Sequence, residues 1–133
     1  MSLSPAEITR ISIPEITLEW SPWTPWGALI RDARSDPMAA RVPDAPGVYE
    51  VRLAHEERRL TIGRASNLRM RVKQGLAKGK TAHSAGDRIR ANEEMANLFV
   101  RWARTDRPSA AEEELHRRHE GTFGTLPKYT ETT

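Results

Sequence analysis

The chain has no cysteine in its 133 residues, which excludes both a disulfide framework and a thiolate metal centre. It has no apolar run approaching the roughly 20 residues of a bilayer-spanning helix, or a signal-peptide core, so a soluble cytoplasmic protein is expected. Internal repeats, heptads and a second domain signature are also missing, and the length suits one domain with a real core. One further lack is local. From Arg64 to Lys80 there is no Asp or Glu, yet that stretch carries Arg64, Arg69, Arg71, Lys73, Lys78 and Lys80. The acids gather instead at Glu93-Glu94 and Glu112-Glu113-Glu114. A net charge of +3 is modest, but this distribution would draw a polyanion and supply salt-sensitive phosphate contacts. The competing reading is a solvated helix face.

What the chain does have is organised around residues 47–72. Gly47-Val48-Tyr49-Glu50-Val51-Arg52-Leu53 alternates as a strand, with Tyr49, Val51 and Leu53 on one face. Arg58 to Gly63 follows closely enough to pair as an antiparallel hairpin. The period then lengthens: Ser66 is a candidate N-cap for a helix carrying Leu68, Val72 and Leu76, with Gly75 or Gly79 at its end. Residues 77–86 read as a mobile loop, Asp87 to Met95 as a helix and Leu98 to Ala103 as a third strand. A last helix opens at Ser109 and ends near Gly121.

Residues 1–42 form an N-terminal arm. Ser4-Pro5-Ala6-Glu7 has the form of a capping box with proline at the first helical position. Ile11, Ile13, Ile16, Leu18 and Trp20 alternate as extended, edge-like chain interrupted at Pro14. Trp20, Trp23 and Trp26 are spaced by three, which in a polyproline II segment aligns the rings along one edge. They suit either a stacking platform for unpaired bases or a cover over an apolar face. Thr24 and Pro25 also suit the start of a helix through Leu29, Ile30 and Ala33.

Gly47-Val48-Tyr49, followed by Thr61-Ile62-Gly63 and then Asn67, Leu68 and Arg71, resembles the signature of the GIY-YIG nuclease superfamily. The resemblance spans about Val42 to Thr130. It implies an α+β fold, a three-stranded antiparallel sheet flanked by helices at 43–133, with the arm of 1–42 packed on it. Thr61 stands where the family has its second tyrosine, and Thr130, in Leu126-Pro127-Lys128-Tyr129-Thr130, where many members have asparagine.

That resemblance implies a DNA endonuclease using one Mg²⁺ or Mn²⁺. Phosphodiester hydrolysis needs a placed water, a proton acceptor, positive charge on the phosphorane and help for the leaving oxygen. Tyr49 matches the first tyrosine, to activate or orient water; a free phenol titrates near pH 10, so acting as a base requires neighbouring cations. Arg71 matches the helix arginine, whose forked donors suit two phosphate oxygens. His83 is similar to a family histidine that assists proton transfer. Glu112, in Glu112-Glu113-Glu114-Leu115-His116, is similar to the metal-binding glutamate, a hard ligand for either ion. Glu112 also sits three after Ser109, as a capping-box partner would. With His116 and His119 it forms an i, i+4, i+7 face that could chelate zinc. Arg64, Asn67, Arg69, Lys73, Lys78 and Lys80 are the candidate nucleic-acid contacts. Because Thr61 and Thr130 remove a phenol and an amide, one alternative is a nucleic-acid-binding module that no longer cuts. Another is a protein-interaction domain using its tryptophan-rich arm.

Overall fold

The computed structural model describes residues 15–130; the Ser4 capping box, Ile11 and Ile13 lie outside them. In chain order the elements are strand β1 (Thr24–Pro25), helix α1 (Trp26–Ile30), strands β2 (Gly47–Leu53) and β3 (Arg59–Ala65), a π-helix (Arg69–Ala77), helix α2 (Ser84–Asn92), a 3₁₀ turn (Met95–Asn97), strand β4 (Leu98–Arg104) and helix α3 (Pro108–Phe123). They make an α+β domain with one antiparallel sheet in the order β1-β4-β2-β3. Among the described residues no helix is long and apolar enough to cross a membrane.

The sheet has four strands where three were expected. The additional strand comes from the arm: Thr24 pairs with Val100 and Pro25 with Phe99. Proline lacks an N–H and is tolerated there because β1 is an edge. Upstream of it, Ser21 N donates to Trp102 O at 2.8 Å, so the arm tracks β4 before turning into the short helix α1.

The alternation of β2 sorts the core into two layers. Tyr49 and Val51 face Leu68, Val72 and Leu76 of the π-helical region, Ile89 of α2 and Trp26 and Leu29 of α1. On the opposite face Val48 packs with Ala103 and Ala111, flanked by Ile16, Leu18 and Trp20 of the arm and Leu115 of α3. The arm and the remainder of the domain therefore share their apolar clusters.

The tryptophans divide accordingly. Trp26 is buried in the first layer, whereas Trp20 and Trp23 lie against the second face over guanidinium groups. Arg101 Cζ is 4.2 Å from the Trp20 ring and 4.6 Å from the Trp23 ring, and Arg52 Cζ is 4.2 Å from Trp23. The three rings thus cover the sheet and do not line up as one base-stacking edge.

Helix boundaries depart from expectation where side chains reach distant backbone. The segment before α2 is capped instead of forming a loose loop: the His83 ring accepts from Gly86 N, which starts the helix at Ser84. Asn67, in place of Ser66, caps the π-helical region, its Oδ1 accepting from Met70 N at 3.1 Å. Gly121 lies within α3, which continues to Phe123 and stops at Gly124 with φ 77° and its N–H on Glu120 O.

Candidate active site

β3 is the edge of the sheet beside β2, and residues from both sheet faces meet around it. Tyr49 stands directly across from Gly63. A Cβ on Gly63 would collide with Cζ and the hydroxyl oxygen of Tyr49, so glycine there lets the phenol lie over the edge strand. Gly47 is constrained comparably, since a side chain would run into Ala103 O and Leu68 Cδ1. Two glycines of the pattern are thus required by close packing around one tyrosine-bearing strand.

The result is a cleft of about 630 Å³. Tyr49 and Thr61 contribute from the sheet, Arg71 from the π-helix, Arg64 from the end of β3, and Glu112 and His116 from α3. His83 stands behind the phenol, buried, with Nε2 2.7 Å from Tyr49 Oη. Its Nδ1 accepts the Gly86 N–H at 3.0 Å. That amide assigns the tautomer: Nδ1 is unprotonated, so Nε2 carries the proton and donates to the tyrosine oxygen. His83 consequently positions Tyr49 through a committed hydrogen bond. A solvent-exposed loop histidine, free to turn between partners, does not describe it.

Arg71 reaches the cleft from the π-helix, with Nη1 donating to Ala82 O at 3.1 Å. This ties the guanidinium to the residue preceding His83. Arg64 Nη1 donates to Ser109 Oγ at 3.1 Å and lies 3.9 Å from Glu112 Oε1.

Glu112 is not a capping-box partner. Pro108 occupies the first turn of α3, Arg107 holds the N-cap position without a side-chain cap bond, and Ser109 is already inside the helix. The carboxylate therefore faces the cleft, with Arg64 as its ion-pair partner at 3.9 Å. Among the described residues no group of three or more His, Cys, Asp or Glu could hold a metal.

The zinc trio fails on His119. Its Nε2 accepts from Arg59 N at 3.1 Å and its Nδ1 donates to Thr125 O at 2.7 Å, so both nitrogens are committed to backbone. His116 differs, lining the cleft with Nε2 3.0 Å from Ile62 O.

Thr61 and Thr130 both bond within the chain. Thr61 is buried and its hydroxyl donates to Tyr129 O at 3.4 Å. Thr130 donates to Pro127 O at 2.5 Å, closing its own turn. Tyr129 also serves the tail: its N–H bonds to Leu60 O and its hydroxyl donates to Glu93 at 2.8 Å. Burial foremost, then Glu93, pushes the Tyr129 phenol above its ordinary titration range.

The candidate nucleic-acid contacts divide by location. Arg64 and Asn67 line the cleft, although Asn67 is occupied by Met70 N and by Asp44. Arg69 and Lys78 border a separate depression of about 650 Å³, together with Arg34 and Arg41. Lys80 is exposed on the segment leading to His83. Lys73 must be corrected: it is only 5% exposed, and its ammonium donates to Ala40 O at 2.9 Å and Arg31 O at 3.3 Å. That anchors the segment after α1 and commits the Lys73 ammonium to backbone carbonyls at the wall of the same depression.

One charged centre was not anticipated. Glu50 is buried on the second face, its Oε1 2.9 Å from Arg59 Nε and 2.6 Å from Arg101 Nη2. The sequence signal was an acid at an alternating position of an apolar strand, between two arginine-bearing neighbours. No family model, curated protein or solved structure matches the chain, so the functional reading rests on these residues themselves.

Proposed function

We propose that the protein is a metal-dependent endonuclease of the GIY-YIG type that hydrolyses phosphodiester bonds in DNA. The observation that carries the reading is that Tyr49, Arg71 and Glu112, distant in sequence, line one cleft. The phosphodiester would sit with its non-bridging oxygens toward the Arg71 fork. Tyr49, held by His83, would orient the attacking water. Glu112 would hold Mg²⁺ or Mn²⁺, which when bound supplies Lewis-acid charge and lowers the pKa of coordinated water. Arg64 adds positive charge at the cleft mouth.

The test is incubation of the purified protein with supercoiled, single-stranded and branched DNA, with divalent metal and with chelator. Metal-dependent nicking that falls on the order of a hundredfold or more in Arg71→Ala and Glu112→Ala supports the proposal. Equal traces in wild type and variants would attribute the nicking to contamination.

The second reading, a nucleic-acid-binding module that has lost cutting, is favoured by Thr61 and Thr130, whose hydroxyls bond to carbonyls of the chain itself. It expects a salt-sensitive gel shift that survives Glu112→Ala, with no turnover under any metal.

A further inference from the structure

We infer that His116 is a second metal ligand beside Glu112, making a carboxylate-imidazole pair suited to Mn²⁺ over Mg²⁺. The inference rests on the proposed metal-dependent reading of the cleft.

Glu112 and His116 are one turn apart on α3, and both line the same cleft. Helical side chains lean toward the helix N-terminus, so His116 inclines over the turn that carries Glu112. A carbonyl only accepts, so the 3.0 Å contact between His116 Nε2 and Ile62 O places the ring proton on Nε2. Nδ1 is then the nitrogen with the lone pair. An imidazole whose N–H is held by a backbone carbonyl is the usual support for a metal-binding histidine, because it fixes both tautomer and ring direction.

Arg64 is the competing charge: its Nη1 pairs with Glu112 Oε1 at a long 3.9 Å and is hydrogen-bonded to Ser109 Oγ, so a divalent ion would have to outcompete only this long contact for the carboxylate. Imidazole nitrogen is a poor ligand for the hard, tightly hydrated Mg²⁺ and a better one for Mn²⁺. Two protein donors leave the remaining positions to water and phosphate oxygens.

The experiment uses Mn²⁺ alone with the full chain, without DNA, read by calorimetric titration and by nitrogen modulation in pulsed electron paramagnetic resonance. Histidine-type nitrogen coupling should be present in the wild type and absent in His116→Gln, which retains an amide N–H for Ile62 O. Mn²⁺ affinity should fall roughly tenfold or more in that variant, at least the cost of losing a supporting partner of a ligand, and Mg²⁺ affinity should fall less. His55→Gln should change neither. Nitrogen coupling without any cleavage of DNA would sustain the pair and remove the nuclease reading. Mn²⁺ held through Glu112 with no nitrogen coupling would overturn the pair and leave the nuclease reading standing. Absence of Mn²⁺ binding would overturn the pair, and the cleavage assay with and without chelator would then decide the nuclease reading.

Discussion

At Gly63 the absence of a side chain is what allows Tyr49 to cross the edge strand. Gly63→Ala is expected to displace the phenol and destabilise the domain by about 1–3 kcal/mol, the range for an overpacked core. Urea unfolding measures the stability; loss of DNA nicking without loss of fold would localise the damage to Tyr49. His83 joins two jobs, a bond to Tyr49 and the cap of α2. His83→Ala should cost roughly 1–3 kcal/mol, from a missing cap and the lost buried hydrogen bond to Tyr49. Thermal melting of His83→Ala beside Tyr49→Phe and the double variant would show coupling if the two residues act through this bond. Additive effects would refute it.

Among elements, the π-helix departs furthest from an ordinary amphipathic reading. Lys78 N bonds back to Lys73 O, a five-residue closure, and Arg90 of α2 donates from Nη1 to the carbonyls of Gly75 and Leu76. Gly75 O also accepts from Gly79 N, so Arg90 adds a second donor at a helix end, where carbonyls run short of intrahelical partners. The same segment holds the buried Lys73 ammonium, whose pKa is pushed below the ordinary 10.5, first by burial and then by Lys78. Between that depressed value and 10.5 the unfolded chain binds the proton that the folded chain has released. Unfolding free energy should therefore rise with pH across that window, be flat above it, and carry the full charge-burial cost below it. Lys73→Met should flatten that part of the slope, checked by urea titrations from neutrality to about 10.5; an unchanged slope would refute it. In the central strand, Glu50→Ala leaves the Arg59 and Arg101 guanidiniums without their buried partner. A loss of about 3–5 kcal/mol is expected, again from denaturant unfolding.

Over the whole molecule, six of the 21 Lys and Arg residues fall between Arg64 and Lys80 with no acid among them, and Glu112, Glu113 and Glu114 sit together on α3. Under the proposed DNA reading, Arg41, Arg69 and Lys78 would follow the backbone along the second depression while the cleft holds the reacting phosphate. Replacing all three with Ala should weaken binding and reduce the steepness of its salt dependence by roughly 1 for each phosphate that is no longer neutralised. Fluorescence anisotropy of a labelled duplex against salt measures it, and an unchanged slope would remove that surface from the DNA path.

Much of the local structure was legible in the sequence. The strands around Tyr49 and Val100, the run of Leu68, Val72 and Leu76, and the helix bearing Glu112 announce themselves through short-range periodicity, which local sterics and burial impose on neighbouring residues. Side-chain fates were less legible. Lys73 and Arg71 belong to one basic run, yet one is buried under two carbonyls and the other lines the cleft. His83, His116 and His119 look alike as letters, but their roles depend on Gly86 N–H, Ile62 O and the Arg59 N–H and Thr125 O pair. By itself the sequence determined the main strands and helices, the absence of thiol chemistry and the grouping of charge. Only the tertiary structure decided that the arm adds a strand, which cations are spent internally and which nitrogen of His83, His116 and His119 is unprotonated, because those outcomes are set by hydrogen-bond partners far away along the chain.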